Sequence, residues 1–181
     1  MMSSLGTSGV AAERINSSNN KLERISMSNH GYDDITAEWV EHVAVGGAVL
    51  GGGGGGSLDE GIEFGHLAVE YGDPEVVPIS ELDPAEVVLT VSGVGAPAAT
   101  ESRVQPADYV RAVELAVDQL DSRGTTVGAL MTNEMGGFAA VNGLLQSAVT
   151  GLPLVDAACN GRAHPTGPMG SIGLSEDEIG R

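Results

Sequence analysis

The segment from 156 to 165 holds the densest group of reactive side chains in this sequence. Cys159 is the single cysteine of the chain, and the cations Arg162 and His164 follow it closely. A neighbouring cation lowers the pKa of a cysteine and makes it a nucleophile, although a lone cysteine is more commonly a small buried side chain. Asp156, which ends an apolar run, either pairs with Arg162 or accepts hydrogen bonds from its own loop. The segment therefore combines a thiol, a carboxylate and a guanidinium, with both structural alternatives open.

Glu134 is a second candidate, because it precedes two glycines in the run N-E-M-G-G at 133–137. Gly136 and Gly137 let the backbone approach a ligand closely and offer amides to an anion where a helix begins. Glu134 would then act as a general base or accept a hydrogen bond from a substrate N–H. The alternative is an acidic residue that only stabilises a helix N-terminus.

Six consecutive glycines at 51–56 form a third candidate. They precede a capped helix, so their amides suit a phosphate or carboxylate, and a flexible hinge explains them equally well. No Lys-Ser or Lys-Thr follows them, which excludes a Walker motif, and a helix precedes them, which excludes a dinucleotide fingerprint. His30, His42 and His66 lack the spacing of metal ligands, so we assign no metal site, and a site formed by Asp156, Cys159 and His164 is the alternative.

The elements that must position these segments alternate between strands and helices from residue 86 onward. The expected strands are 87–91, 126–131 and 152–155, and the expected helices are 106–122 and 137–150. Such a βαβαβ order with short connections predicts an α/β fold, in which helices flank a mostly parallel sheet. Ligands bind such sheets beyond the carboxyl ends of the strands, where the loops beginning at Gly93, Asn133 and Asp156 would converge.

Two helices and the glycine-rich loop precede that core. Thr36 caps the first helix, which ends at the glycine block. Ser57 begins the second through an S-x-x-E capping box, and this helix ends near Gly72. A short strand at 76–79 is expected at the edge of the sheet, because Pro78 lacks the N–H that an inner strand needs.

Composition excludes several classes of protein. The chain has 25 acidic and 8 basic residues and a net charge of -17, so a phosphate backbone would be repelled and nucleic-acid binding is excluded. One cysteine cannot form a disulfide scaffold, and no apolar run reaches the length of about 18 residues that a membrane span needs. Seven of the eight cations are arginine, which together with the charge favours a halophilic protein over ordinary acidic solubility.

The sequence divides into an extension and one domain. Residues 1–29 show no periodicity and no apolar core of a signal peptide, and we expect them to form a disordered N-terminal extension. Residues 1–26 of this extension are either a disordered tail or lie upstream of a true start at Met27. Residues 30–181 are expected to form a single α/β domain. The lone cysteine and the missing export signal favour a cytoplasmic location.

Four motifs in this order resemble the DUF917 family, also called S-methyl thiohydantoin desulfurase-like and hydantoinase-associated. They are G-G-A-V-L-G-G-G-G-G-G at 46–56, G-V-G-A-P at 93–97, N-E-M-G-G at 133–137 and G-L-P-L-V-D-A-A-C-N-G-R-A-H-P at 151–165. The resemblance extends from about Thr36 to Met169 and implies the N-terminal domain alone, since the β-rich second domain of the family is missing. Ala158 replaces the second aspartate of the family's D-x-D.

The resemblance implies a hydrolase-like protein that acts on hydantoin-like cyclic amides or thiohydantoins. The catalytic candidates that we assign are Glu134, Asp156, Arg162 and Cys159. The candidates for substrate binding are the loop glycines and two polar residues of the last loop, namely Gly52, Gly53, Gly54, Gly95, Gly136, Gly137, Asn160 and His164. The alternative is a non-catalytic ligand-binding or assembly subunit, or a truncated remnant. Expected partners are a small-molecule substrate, a separate C-terminal half, a hydantoinase-type subunit or a second copy of the chain.

Overall fold

The computed structural model describes Tyr32, residues 34–95 and residues 104–163. The predictions made for the N-terminal extension, for the end of the G-V-G-A-P motif and for His164 lie outside the described residues. No helix in the described part of the chain is long and apolar enough to cross a membrane.

The described residues form four α-helices and four strands. The helices are α1 (Ala37–Gly51), α2 (Leu58–Tyr71), α3 (Pro106–Asp121) and α4 (Leu144–Thr150). The strands are β1 (Val76–Val77), β2 (Val87–Val91), β3 (Val127–Thr132) and β4 (Leu154–Ala158), and a 3-10 turn at Ile79–Glu81 follows β1.

The four strands form one sheet in the order β1-β4-β3-β2, and every neighbouring pair is parallel. Leu154 of β4 is aligned with Val76 on one side and with Leu130 on the other. β1 lies at the edge, as Pro78 required, but its pairing ends at Val77 rather than at Ile79. The α/β class with a parallel sheet and flanking helices is therefore confirmed.

Three of the helices begin directly after an N-cap residue whose hydrogen bonds stabilise the first turn. Thr36 Oγ1 accepts a hydrogen bond from the Trp39 amide at 3.2 Å, and Ser57 Oγ accepts one from the Glu60 amide at 3.4 Å. At the start of α3, the backbone N–H of Gln105 donates to Asp108 Oδ2 at 2.7 Å. These bonds satisfy N–H groups that have no partner inside the helix.

One predicted helix begins later than expected. We expected it to begin at Gly137, but residues 137–143 form successive turns and α4 begins only at Leu144. The amides of Phe138 and Ala139 both donate to Gly55 O, at 3.2 and 2.9 Å. The N–H groups at the start of this segment are therefore bonded to the glycine block. The expected helix is therefore wrong in its first two turns.

The helices pack on one another as well as on the sheet. α1 lies against α2, α2 against α4, and α3 against α4 and β3. The most deeply buried side chains include Leu130 of β3 and Leu144 of α4, with 0% and 1% exposed. On the opposite face of the sheet, Val77, Ala129 and Val155 form a second buried cluster. β3 and the start of β4 are thus buried on both faces, as inner parallel strands usually are, whereas β2 at the edge is exposed or half-buried except at Val91.

Adjacent glycines in α1 lead to a prediction about stability. A Cβ at Gly46 would meet nothing within 4 Å, so Gly46→Ala is expected to raise the free energy of unfolding by about 0.5–1 kcal/mol through helix propensity. A Cβ at Gly47 would overlap Ala140 Cβ and lie 2.5 Å from Gly136 O. Gly47→Ala should therefore lower the free energy of unfolding by roughly 2 kcal/mol. Urea unfolding of both variants measures the two values, and equal effects would contradict this packing of α1.

Candidate functional site

The loops that follow β3 and β4 lie side by side at the carboxyl edge of the sheet. The Cys159 amide donates to Thr132 O at 2.9 Å, and the Asn160 amide donates to Asn133 O at 2.7 Å. The pairing continues where Met135 N donates to Gly161 O at 2.8 Å. The two segments that carry Glu134 and Arg162 in the sequence are therefore neighbours in space, as parallel topology predicts.

The glycine block covers these loops through backbone contacts. Gly55 O accepts the Phe138 and Ala139 amides, and a Cβ built on Gly55 would lie 2.5 Å from Gly136 Cα. A Cβ on Gly54 would lie 2.7 Å from Ala163 Cβ. Such spacing leaves no room for side chains between the three segments, so residues 51–56 must be small where they meet the strand-end loops.

The candidate binding glycines fall into two groups. Gly136 and Gly137 are buried, and a Cβ on Gly137 would lie 2.7 Å from Leu58 N. Gly52 and Gly53 are exposed beside them, with the Gly52 amide already donating to Ala48 O at 3.1 Å. The buried pair allows close approach of two backbones, whereas the exposed pair is open to a small ligand.

Gly95 and Gly54 complete the list of glycines assigned to binding. Gly95 is exposed, and a Cβ there would meet nothing within 4 Å among the described residues. Gly54 is exposed, and its amide donates to Gly51 O at 3.1 Å.

Arg162 lies at the carboxyl end of α1. Its Nε–H donates to Leu50 O at 2.7 Å, and its Nη2 would lie 3.7 Å from a Cβ on Gly52. A cation suits the negative end of a helix dipole, so this contact also stabilises α1. Among the described residues Arg162 has no ion pair with Asp156 within 4.0 Å, so the backbone carbonyl replaces the carboxylate that we expected to orient it.

Asp156 lies inside β4 and is exposed rather than buried at the strand end. It opens onto a groove of about 220 Å³ between α1 and the β1–β4 side of the sheet. Asp156 is the one charged residue among those that line this groove in the described part of the chain. Thr132 also lines the groove, and the other lining residues are apolar: Trp39, Val43, Gly46, Gly47, Leu50, Val76, Met135, Ala140, Leu154, Val155 and Ala157.

The other polar candidates are half-buried along the same loops. Glu134 is half-buried, and its backbone O lies 3.5 Å from the donating hydroxyl of Thr132. Cys159 is a half-buried free thiol. Asn160 Oδ1 is buried and has no hydrogen-bond partner among the described residues. No group of three or more His, Cys, Asp or Glu side chains in the described ranges could hold a metal ion.

Hydrogen bonds behind the site hold the turn segment 137–143 in place. Thr132 Oγ1 donates to Ala139 O at 2.6 Å. Gln146 Oε1 accepts the Gly143 amide at 3.0 Å, while its Nε2 donates to Asn142 Oδ1 at 2.9 Å. Gln146 is 1% exposed, so these bonds are shielded from water and fix the backbone that supports the glycine contact.

Sequence reasoning missed two features near the site. Phe64, Tyr109 and Phe138 form an aromatic cluster with ring centroids 5.1 to 5.6 Å apart, close to Gly93 at the end of β2. Burial, and secondly the nearby Glu60 carboxylate, raise the pKa of Tyr109. The cluster joins α2, α3 and the segment 137–143, and no spacing within one element signals it.

The second missed feature is the groove. Helix α1 is apolar on several sides after His42, while its buried side chains occupy only one face, that of Val40, Ala44 and Gly47. An apolar helix with more than one nonpolar face is expected to have more than one partner. That pattern is the sequence signal that would have indicated an apolar surface beside the strand ends.

The arrangement provides complementary hydrogen-bonding groups next to an apolar surface. Leu50 connects Arg162 with the groove. It lines the groove together with Asp156, and its carbonyl oxygen accepts a hydrogen bond from Arg162. Asp156 accepts hydrogen bonds, and a guanidinium donates from several N–H groups in one plane.

Comparisons with known proteins agree with this architecture. Residues 38–179 match the family described as S-Me-THD-like, N-terminal domain. A crystal structure of a protein from Chromobacterium violaceum is similar, with 31% sequence identity and a TM-score of 0.61. The similarity covers 75% of this chain and 37% of that protein, so this chain matches a little over a third of its length. No curated protein matches the chain.

Proposed function

Because this chain belongs to the S-Me-THD-like family, we propose that its carboxyl-edge site binds a hydantoin-like or thiohydantoin-like ring and contributes to its hydrolysis. The observation that carries the proposal is the link between Arg162, Leu50 and Asp156 at the end of α1. Asp156 would accept the ring N–H, and Arg162 would donate to a ring oxygen. Asp156 and Arg162 are both exposed.

The charge of the chain supports a neutral ring over an anionic ligand. A net charge of -17 disfavours the approach of an anion, and at 0.1 M salt this repulsion acts within about 10 Å of the protein surface. A cyclic amide carries its donors and acceptors without a net charge. We therefore propose that Arg162 stabilises a charge that develops during the reaction rather than one that is present in the substrate.

Hydrolysis requires a base, an activated water and a group that stabilises the tetrahedral intermediate. Asp156 or Glu134 would take a proton from water, whose oxygen then bonds to the ring carbon while the displaced electron pair moves to the ring oxygen or nitrogen. Arg162 would stabilise that charge. Collapse of the intermediate breaks the ring C–N bond or an exocyclic C–S bond, and the proton passes to the leaving nitrogen or sulfur. Cys159 remains an alternative nucleophile.

Turnover of two probes tests the proposal. We expect ring opening of hydantoin or release of methanethiol from an S-methyl thiohydantoin, with the Chromobacterium violaceum protein assayed in parallel. Asp156→Asn should lower turnover by about 100-fold if Asp156 is the base, because general-base catalysis contributes about that much. Cys159→Ser is the matched control and should keep full activity. Loss of activity in Cys159→Ser with retention in Asp156→Asn would assign the reaction to the thiol instead.

A ligand-binding or assembly subunit is the second candidate. The outer face of α1 favours it, because Val45 and Val49 are 49% and 73% exposed on an apolar helix. The same probes distinguish the two functions. Binding of hydantoin without turnover by this chain, together with turnover by the Chromobacterium violaceum protein, would assign this chain a binding role.

A further inference from the structure

The apolar groove beside Asp156 offers space that a ring bound only by Asp156 and Arg162 would leave unfilled. Its volume is about 220 Å³, and a Cβ built on Gly46 in its wall would meet nothing within 4 Å. The groove exists because α1 turns Val40 and Ala44 towards α2, where Val40 fits against Gly65, and leaves a second face towards the sheet edge. β1 is only two residues long and does not close that edge.

One wall of the groove is built from regularly spaced residues of α1. Trp39, Val43, Gly46 and Leu50 recur at the spacing of one helical face. The facing wall is built from residues of β1 and β4, with Met135 from the loop after β3. An apolar group in this space would contact the indole on one side and aliphatic side chains on the other, while Asp156 remains at its edge.

We infer that this groove receives an apolar substituent of the ring, and that Trp39, Val43 and Gly46 set the size of the substituent accepted. The inference rests on the proposed function, which supplies the ring bound by Asp156 and Arg162. Burying a benzyl group removes enough nonpolar area from water to increase affinity about tenfold or more. Hydantoins with aromatic or branched substituents at the ring carbon are therefore the expected class of ligand.

Trp39 provides a local probe of the groove, because it is the only tryptophan in the chain. Calorimetric titration with hydantoin, 5-methylhydantoin, 5-isopropylhydantoin and 5-benzylhydantoin should give affinities that rise along this series. Tryptophan fluorescence should change with the benzyl compound and remain nearly constant with unsubstituted hydantoin. Both readouts measure binding and do not depend on turnover.

Blocking variants separate the groove from the ring site. Gly46→Leu projects a side chain into the groove and should cancel the gain for the benzyl compound while leaving the affinity for hydantoin within about twofold. Val49→Leu is the control, because Val49 is exposed on the same helix and does not line the groove. Val43→Phe serves as a second blocking variant if Gly46→Leu fails to fold.

The outcomes distinguish the two claims. Hydantoin binding without any gain from the benzyl group would overturn the groove inference and leave the proposed function intact. An equal loss of affinity for every hydantoin in Gly46→Leu would also overturn the groove inference, because the variant would then act on the ring site. If no hydantoin binds, the proposed function fails and the groove inference fails with it.

Discussion

Replacing Gly136 by alanine is expected to lower the free energy of unfolding by about 3 kcal/mol or more, the largest effect of any change considered for this chain. A Cβ at Gly136 would overlap the backbone Cα and O of Gly55 and lie 2.5 Å from its carbonyl carbon. These are backbone atoms, so no rotamer change relieves the overlap. The glycine block would have to move, which would break the bonds from Phe138 and Ala139 to Gly55 O.

Thermal unfolding measures this effect, and the expected drop in Tm is roughly 10 °C for a domain of this size. Gly95→Ala is the matched control, since Gly95 is exposed and a Cβ there would meet nothing within 4 Å. It should change Tm by less than about 2 °C. A Gly136→Ala protein with wild-type stability would contradict the backbone contact between the two loops.

Arg162→Lys is expected to weaken hydantoin binding by about tenfold or more, although the charge is kept. The arginine uses Nε to hold Leu50 O and has two further nitrogens in the same plane to offer a ligand. A lysine that bonds to Leu50 O has one ammonium nitrogen for both tasks. The geometry of the site, rather than its charge, is therefore the property that the substitution removes.

The controls for Arg162→Lys separate binding from support of α1. The hydrogen bond to Leu50 O belongs to an exposed side chain, so its loss should cost stability of only about 1 kcal/mol. Arg123→Lys, at an exposed position after α3, should leave both affinity and Tm unchanged. If Arg162→Lys binds hydantoin as tightly as the wild type does, Arg162 only caps the helix and the proposed ring site is wrong.

The sequence predicted the parts of the fold that local patterns determine. Thr36 and Ser57 cap helices because a hydroxyl beside a free amide is a short-range signal. The apolar runs at Val87–Val91 and Val127–Thr132 became parallel strands, and that topology placed their loops together. The expected class of fold and the adjacency of the strand-end loops both depend on such signals.

Long-range packing determined what the sequence could not predict. Gly136 and Gly137 resembled the start of a helix that binds an anion, but the glycine block from a distant part of the chain lies over them. Arg162 was expected to pair with Asp156, yet it bonds to the carbonyl of Leu50, 112 residues away. A backbone carbonyl has no sequence signature, so no residue pattern identifies it as the partner.

The position of β4 in the sheet affects how the chain folds during synthesis. β4 is the last strand described but lies between β1 and β3, and Ser147 bonds to Glu75 across 72 residues. The unit β2–α3–β3 can form early, whereas β1 has to wait for β4, its neighbour in the sheet. At translation rates of about 5–20 residues per second, the first two helices remain without their final support for several seconds. During that interval the apolar surface of α1 that the sheet later covers is exposed to water.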